Sequence, residues 1–307
     1  MSARLPILLS LTLCLTAACG GEPPLHLLAF GDHGTGGDGQ RAVAAAAGIV
    51  CTELGCDRGL LLGDNFYDVG VTAIDDPQFE EKFEKPYADL AFPFHPVLGN
   101  HDYGTLTNDW PRGQVQVDYT RPETTWQMPA THYVLRIGEV GILALDTAAL
   151  FWDDIENGDQ EVWIDGALAE LEDATVVIGI GHHPYRSNGR HGNAGNFDGL
   201  TDIAPLDGAH IKDFFDARLC GALDLYLAGH DHSRQWLEQD FCGAELIVSG
   251  AGGSSTTGLS EDRNPHRFQA NSLGLLHLTI DGRTVTGRFF DERGTQDFER
   301  SFEVPKR

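Results

Sequence analysis

The sequence predicts a layered α/β protein, on two observations. Short, continuous apolar runs recur along the chain, and each ends abruptly in a glycine-containing polar cluster. Runs of that length bounded by glycine read as strands buried on both faces. Between them lie segments with apolar residues at three- and four-residue spacing, the periodicity of helices. Strand, helix and strand in alternation imply a sheet covered by helices.

Taken in order, the run 25–30 ends in Gly31-Asp32-His33-Gly34, 59–62 in Gly63-Asp64-Asn65, and 94–98 in Gly99-Asn100-His101-Asp102. Further on, 176–180 ends in Gly181-His182-His183-Pro184, 223–228 in Gly229-His230-Asp231-His232, and 245–248 in Ser249-Gly250-Ala251-Gly252. Helices are expected over 41–54, with Asp38 as a candidate cap, and over 77–90, 160–171 and 210–219. The tail alternates in strand fashion over 274–280, 284–291 and 297–304. Asp281-Gly282 and Arg293-Gly294 are the hairpin turns between these strands. The tail is expected to form an antiparallel edge completing a second sheet. Segments 103–125 and 252–270 read as long polar loops.

With 307 residues, the chain is long enough for one large domain or two ordinary ones. Its 46 Asp and Glu against 21 Lys and Arg leave a formal net charge of -25. That disfavours nucleic acid and anionic lipid surfaces, which bind through basic patches. The first residues combine a positive start, an apolar stretch of 11 residues and the small residues Thr16, Ala17 and Ala18 before Cys19. This is the pattern of a secretory signal, and it resembles a bacterial lipobox, in which the cysteine becomes the lipidated first residue. The expected organisation is a signal peptide over 1–18, a short tether over 19–24 and a single domain over 25–307. The expected location is the periplasm or outer membrane, anchored through Cys19, or outright secretion. Loss of Cys14 with the signal and lipidation of Cys19 leave four cysteines, an even number that suggests disulfides in an exported chain. Cys51–Cys56 and Cys220–Cys242 are the expected pairs, since each flanks one local connection. Zinc binding is the weaker alternative.

The strand-end side chains carry the chemistry. In open α/β sheets, functional residues collect beyond the carboxyl ends of the strands, and here every such end but the last carries His, Asp or Asn. Carboxylate, imidazole, amide and phenol are all ligands for hard or borderline metal ions. Two adjacent cations can clamp the attacking and leaving oxygens of a phosphoryl transfer.

The ordered set Gly31-Asp32-His33-Gly34, Gly63-Asp64-Asn65-Phe66-Tyr67, Gly99-Asn100-His101-Asp102, Gly181-His182 and Gly229-His230-Asp231-His232 resembles the motifs of the calcineurin-like metallophosphoesterases. Within them it is similar to the purple, tartrate-resistant acid phosphatase branch. The resemblance covers nearly the whole chain after residue 24. It implies a four-layer α/β/β/α sandwich of two mixed sheets, with the metal site at the carboxyl ends of the strands. By that resemblance Asp32, Tyr67 and His232 hold Fe(III), and Asp64 bridges. Asn100, His182 and His230 then hold a divalent Fe, Zn or Mn. Most of the family carries a histidine two residues after the first aspartate. Gly34 stands there in this chain, and the phenol of Tyr67 takes its place. His101 and His191 would face the substrate, bind phosphate oxygen or protonate the leaving group, and Asp102 would orient His101. His33 would stand behind the ligands, and His183 has no assigned task.

The implied activity is that of an exported dinuclear-metal acid phosphatase, a monomer that hydrolyses small phosphate monoesters by attack of a metal-bound hydroxide. Two alternatives stay open: a Mn- or Zn-dependent phosphodiesterase on the same fold, and a non-enzymatic lipoprotein that binds phosphate or metal.

Overall fold

The structure is a computed structural model that describes residues 23–105, 108–153, 160–238 and 241–306. The signal segment and Cys19 lie outside the described residues. Among those described, no helix is long and apolar enough to cross a membrane.

Alternation along each strand divides the core in two. In β5 (Val140–Ala144), β6 (Val176–Ile180) and β7 (Leu225–Ala228), residues Ile142, Val176, Ile178, Ile180, Leu225 and Leu227 share a core with the other sheet. The intervening Leu143, Val177 and Tyr226 turn the opposite way. They pack with Ile164 and Ala167 of α5 (Gln160–Glu170) and with Ile211 and Phe214 of α6 (Ala209–Phe214). A strand with both faces covered has no polar side to show, which is why these runs are continuously apolar.

The first sheet has the order β13 (Gln296–Glu303), β12 (Thr284–Asp291), β11 (Gly274–Asp281), β1 (Leu25–Phe30), β2 (Arg58–Leu62), β3 (Phe94–Val97). β1, β2 and β3 run parallel, and α1 (Asp38–Leu54) makes the crossover between the first two. Val43, Ala46, Ala47 and Val50 form the buried stripe of α1. The second sheet has the order β10 (His266–Ala270), β8 (Arg234–Leu237), β9 (Glu245–Ser249), β7, β6, β5, β4 (Tyr133–Ile137), with β5, β6, β7 and β9 parallel. The two sheets pack face to face. Trp236 of β8 (Arg234–Leu237), for example, lies 5.6 Å from the ring of Phe298 in β13 (Gln296–Glu303).

Several expectations need correcting. The tail forms the predicted antiparallel hairpins, but β11 (Gly274–Asp281) pairs with β1. The tail therefore extends the first sheet and does not complete the second. Asp38 does not cap α1: it lies inside the first turn, 2.6 Å from Arg41, and Gly37 precedes the helix. The expected helix 77–90 is a short turn, α2 (Pro77–Phe79), followed by a wider turn over Glu80–Glu84. Pro86 lacks the N–H that would extend it. The polar segment 103–125 contains α3 (Trp110–Asp118), and 252–270 ends in β10 (His266–Ala270). Both cysteine pairs form as expected, Cys51–Cys56 and Cys220–Cys242.

Two histidines remote from the strand ends are buried without charge. Burial and the nearby Arg58 push His95 down to about 4. Burial pushes His277 down to about 4, even though its Nε2 faces the Gly55 carbonyl at 3.0 Å. Unfolded, both titrate near about 6.5. The folded values are the lower ones, so this contribution to stability is complete above about pH 6.5 and is lost as pH falls toward about 4. A His95→Gln/His277→Gln double variant is expected to lose part of this acid sensitivity. Urea midpoints measured between these pH values should fall less steeply for the variant than for the parent, and parallel slopes would refute the assignment.

Candidate metal centre

The carboxyl ends of the parallel strands of both sheets meet at one seam. The Gly31 N–H donates to the Ser249 carbonyl at 2.8 Å, and the Gly252 N–H donates to the Gly31 carbonyl at 2.9 Å, tying the end of β1 to the end of β9. The turns after β1, β2, β3, β6 and β7 deliver Asp32, Asp64, Asn100, His182, His230 and His232 to this seam. Asp32, Asp64 and His230 adopt left-handed backbones, with φ of 58°, 52° and 67°. Such conformations cost energy in non-glycine residues and concentrate at functional sites.

The donor atoms fall into two poles. In the first, the Tyr67 hydroxyl oxygen lies 3.1 Å from Asp32 Oδ1, 2.9 Å from Asp64 Oδ2 and 3.1 Å from His232 Nε2. In the second, His182 Nε2 lies 3.1 Å from Asn100 Oδ1, 3.1 Å from His230 Nδ1 and 3.5 Å from Asp64 Oδ1. Asp64 therefore shows one oxygen to each pole. Asp32, Asp64 and His232 alone bring three ligand atoms within 4.8 Å of one another.

Outer contacts aim these groups. His182 Nδ1 faces the Leu62 carbonyl at 2.9 Å, and His232 Nδ1 faces the Ser255 carbonyl at 2.7 Å. Donation there turns Nε2 of each ring inward, the usual way a ligand imidazole is oriented. The His230 N–H donates to Asp32 Oδ2 at 2.8 Å, and the His101 N–H to Asp64 Oδ1 at 2.9 Å. Thr147 Oγ1 accepts from the backbone N–H groups of His182 and His183.

This donor set fits a pair of cations. With Nδ1 of His182 donating to Leu62, its Nε2 and the Asn100 amide oxygen are two acceptors 3.1 Å apart. They need a positive charge between them, either a proton on the ring or a metal ion. Carboxylate, phenol, amide oxygen and imidazole together suit hard or borderline ions.

Charge in the bare protein is distributed to match. Burial opposes ionisation of Asp64, but His182 and His101 hold its carboxyl below the usual range. Burial likewise opposes charge on His232, yet the bond to Asp32 raises it to about 9. His230 is pushed well below its ordinary value by burial and by the neighbouring histidines, which leaves the lone pair of one ring nitrogen free. Burial, followed by the two carboxylates, raises the Tyr67 phenol well above its ordinary range.

The two remaining candidates flank opposite poles. His101 Nδ1 lies 2.6 Å from the Asp68 carbonyl, with its ring 4.4 Å from that of Tyr67. His191 Nδ1 lies 3.0 Å from Asp198 Oδ1, with its ring 4.2 Å from that of His230. Asp102 does not reach His101. Its carboxylate accepts from the N–H groups of Asn65, Phe66 and Gly99 and from Gln116, binding the turn after β2 to the turn after β3. Burial and the Asp64 charge push it up to about 6. His33 is buried behind the turn, against Asn65 and Gln40, and burial pushes it down to about 4.

A profile described as "Calcineurin-like phosphoesterase" matches residues 25–234. The chain belongs to the calcineurin-like phosphoesterase family. Its relatives there include the tartrate-resistant acid phosphatase type 5 of Sus scrofa, 31% identical over 260 residues, covering 75% of this chain and 70% of that protein. Purple acid phosphatase 3 of Arabidopsis thaliana is 27% identical over 296 residues, covering 88% of this chain and 75% of that one. Among solved structures, "GAP50 the anchor in the inner membrane complex of Plasmodium" superposes with a TM-score of 0.70 at 18% identity. The superposition covers 93% of this chain and 90% of that one, a likeness of fold.

Two supporting residues of this phosphoesterase escaped the sequence reading. Thr147 follows β5 and holds the His182-His183 backbone. Asp231 accepts from the His191 N–H at 2.9 Å and so fixes the loop that carries that ring. Asp231 stands inside the Gly229–His232 motif, which was a signal. Thr147 gave none.

Glycine is required where backbones approach the ligands. A Cβ on Gly99 would lie 2.2 Å from Asp64 Oδ1, and one on Gly63 would lie 2.5 Å from His182 Nδ1 at a φ of +86°. Gly99→Ala is therefore expected to displace the Asp64 carboxylate and lower bound metal by at least about 10-fold. Metal content per folded chain, with circular dichroism to verify folding, tests this. Full occupancy in a folded variant would contradict it.

Proposed function

We propose that this protein is an exported acid phosphatase with a dinuclear metal centre that hydrolyses small phosphate monoesters, acting as a monomer. The observation that carries this reading is the pair of poles sharing Asp64. The relatives, named as tartrate-resistant and purple acid phosphatases, support it. Asp32, Tyr67, His232 and Asp64 would hold Fe(III), and Asp64, Asn100, His182 and His230 would hold a divalent Fe, Zn or Mn. When bound, such a pair polarises phosphate oxygens and makes water nucleophilic near or below neutral pH.

The chain's own residues do the rest. Asp64 and Asp32, fixed by backbone N–H groups, hold the poles at constant separation, and the outer bonds to Leu62 and Ser255 keep the imidazoles aligned. His101 binds a phosphate oxygen from the side of the first pole. His191, steadied at Nδ1 by Asp198 and through its backbone by Asp231, carries a proton on Nε2 for the departing ester oxygen. Water supplies the oxygen that joins phosphorus, the P–O ester bond breaks, and alcohol and inorganic phosphate leave. The cysteine pairs support an oxidising compartment. The organisation we propose is a signal over 1–18, a tether beginning at Cys19 and a catalytic domain over 25–307.

Each part of this reading has an expected outcome. Protein loaded with iron and a divalent metal should cleave p-nitrophenyl phosphate in mild acid and show a visible tyrosinate-to-Fe(III) band. Tyr67→Phe should bleach that band, and Asn100→Ala should lower kcat/KM by about 100-fold or more. Absence of turnover at any pH with both metals bound would end the phosphatase reading. Separately, intact mass of the exported protein should begin at a lipid-modified Cys19. Retention of residues 1–18 would reject the export proposal.

A further inference from the structure

A cavity of about 280 Å³ opens beside the second pole. This is near the small end of ligand pockets, which run from about 300 to 1,000 Å³. Asn100, His191 and His230 border it on the metal side. The opposite wall is apolar. α4 (Thr147–Trp152) places Ala148, Phe151 and Trp152 on one face by its three- and four-residue spacing. Phe197, Leu200 and Leu206 close the wall from the loop after His191. The Phe151 ring is nearly parallel to those of His183, at 5.4 Å and 16°, and Phe197, at 6.3 Å and 21°.

We propose that this cavity seats the organic group of the substrate and selects phosphate monoesters of uncharged aromatic alcohols, with Phe151, Trp152 and Phe197 as the specificity-determining residues. The inference rests on the phosphatase reading and names its substrate class. Three features of the site argue for it. A phosphate held at the poles would place its ester oxygen at the edge shared by Asn100, His230 and His191, and this cavity opens directly from that edge. Its walls offer flat, apolar surface, which rewards burial of a ring by area and by ring–ring contact. Its polarity excludes competitors. Among the described lining residues there is no Lys or Arg, and the one carboxylate, Asp198, is bonded to His191. A second phosphate or a carboxylate on the substrate would therefore meet no side-chain cation there other than the proton-carrying His191, which is already paired with Asp198. A sugar would bury several hydroxyls against Phe151, Trp152, Phe197 and Leu200, which return no hydrogen bonds; among the described lining residues Thr105 alone offers a hydroxyl.

Phenylphosphonate and methylphosphonate, which share a head group and have no ester bond to cleave, separate binding from leaving-group chemistry. Calorimetry on the metal-loaded protein should show phenylphosphonate binding at least about 10-fold tighter. Phe151→Ala, Phe197→Ala and the milder Phe151→Leu should shrink that preference and leave methylphosphonate affinity within about twofold. Equal affinities in the parent protein would overturn the proposal without any variant having to fold. A preference that survives in folded variants would overturn it too, as would parallel losses for both ligands. Hydrolysis is scored separately with methyl and phenyl phosphate. Selective binding without cleavage of either ester rejects the phosphatase reading and leaves the aromatic cavity standing. Cleavage without selective binding rejects only the cavity.

Discussion

One carboxylate has to serve two neighbours. Asp64 turns one oxygen toward Tyr67 and the other toward His182, and nearly every unusual feature nearby follows from that requirement. To face both ways, its backbone takes a left-handed turn immediately after β2. To keep its place, it accepts the His101 N–H, so the turn after β3 must come within hydrogen-bond reach. That approach leaves no room for a side chain at Gly99. Asp102 then gathers backbone N–H groups from both turns and makes the pair rigid. A group shared between two poles tolerates little movement, and burial in a dense hydrogen-bond network is what restrains it.

The electrostatic setting is unusual for such an acidic chain. With a net charge of -25, the surface repels polyanions at long range. The centre itself draws together two carboxylates, a phenol and three imidazoles in a largely buried space. Buried like charges of this kind are costly unless protons or cations neutralise them. In the bare protein, the raised values of His182 and His232 and the raised Tyr67 phenol show protons filling that role. Metal ions of higher charge would replace several protons at once, which links occupancy of the site to its stability.

The fold supplies the site by convergence and not by local structure. Candidate ligands come from the first sheet through β1, β2 and β3, and from the second through β6 and β7. The seam from Gly31 to Ser249 and Gly252 sets the distance between the two contributions. The aromatic cavity is built differently, from the short helix after β5 and the loop after β6. The candidate metal centre thus rests on sheet packing, whereas the neighbouring wall rests on connections that can vary without disturbing it.

Much of this was legible in the chain. Burial on both faces makes strands continuously apolar, so their ends are visible as sudden glycines, and the residues placed there had to lie at the strand termini. The segment 77–90 departs from the helix its spacing predicts because Pro86 and the packing of Phe79 and Phe83 against Trp126 decide its course. The tail was assigned to the wrong sheet because alternation reveals a strand but never its partner. Nothing in the spacing of Asp102 distinguished a contact with His101 from the backbone contacts it makes. By itself, the sequence determined which side chains stand at the strand ends and what chemistry they share, since periodicity and residue type are local properties. Only the tertiary structure decided which of them face one another, which oxygen meets which nitrogen, and what wall stands beside them, because those depend on contacts between segments far apart along the chain.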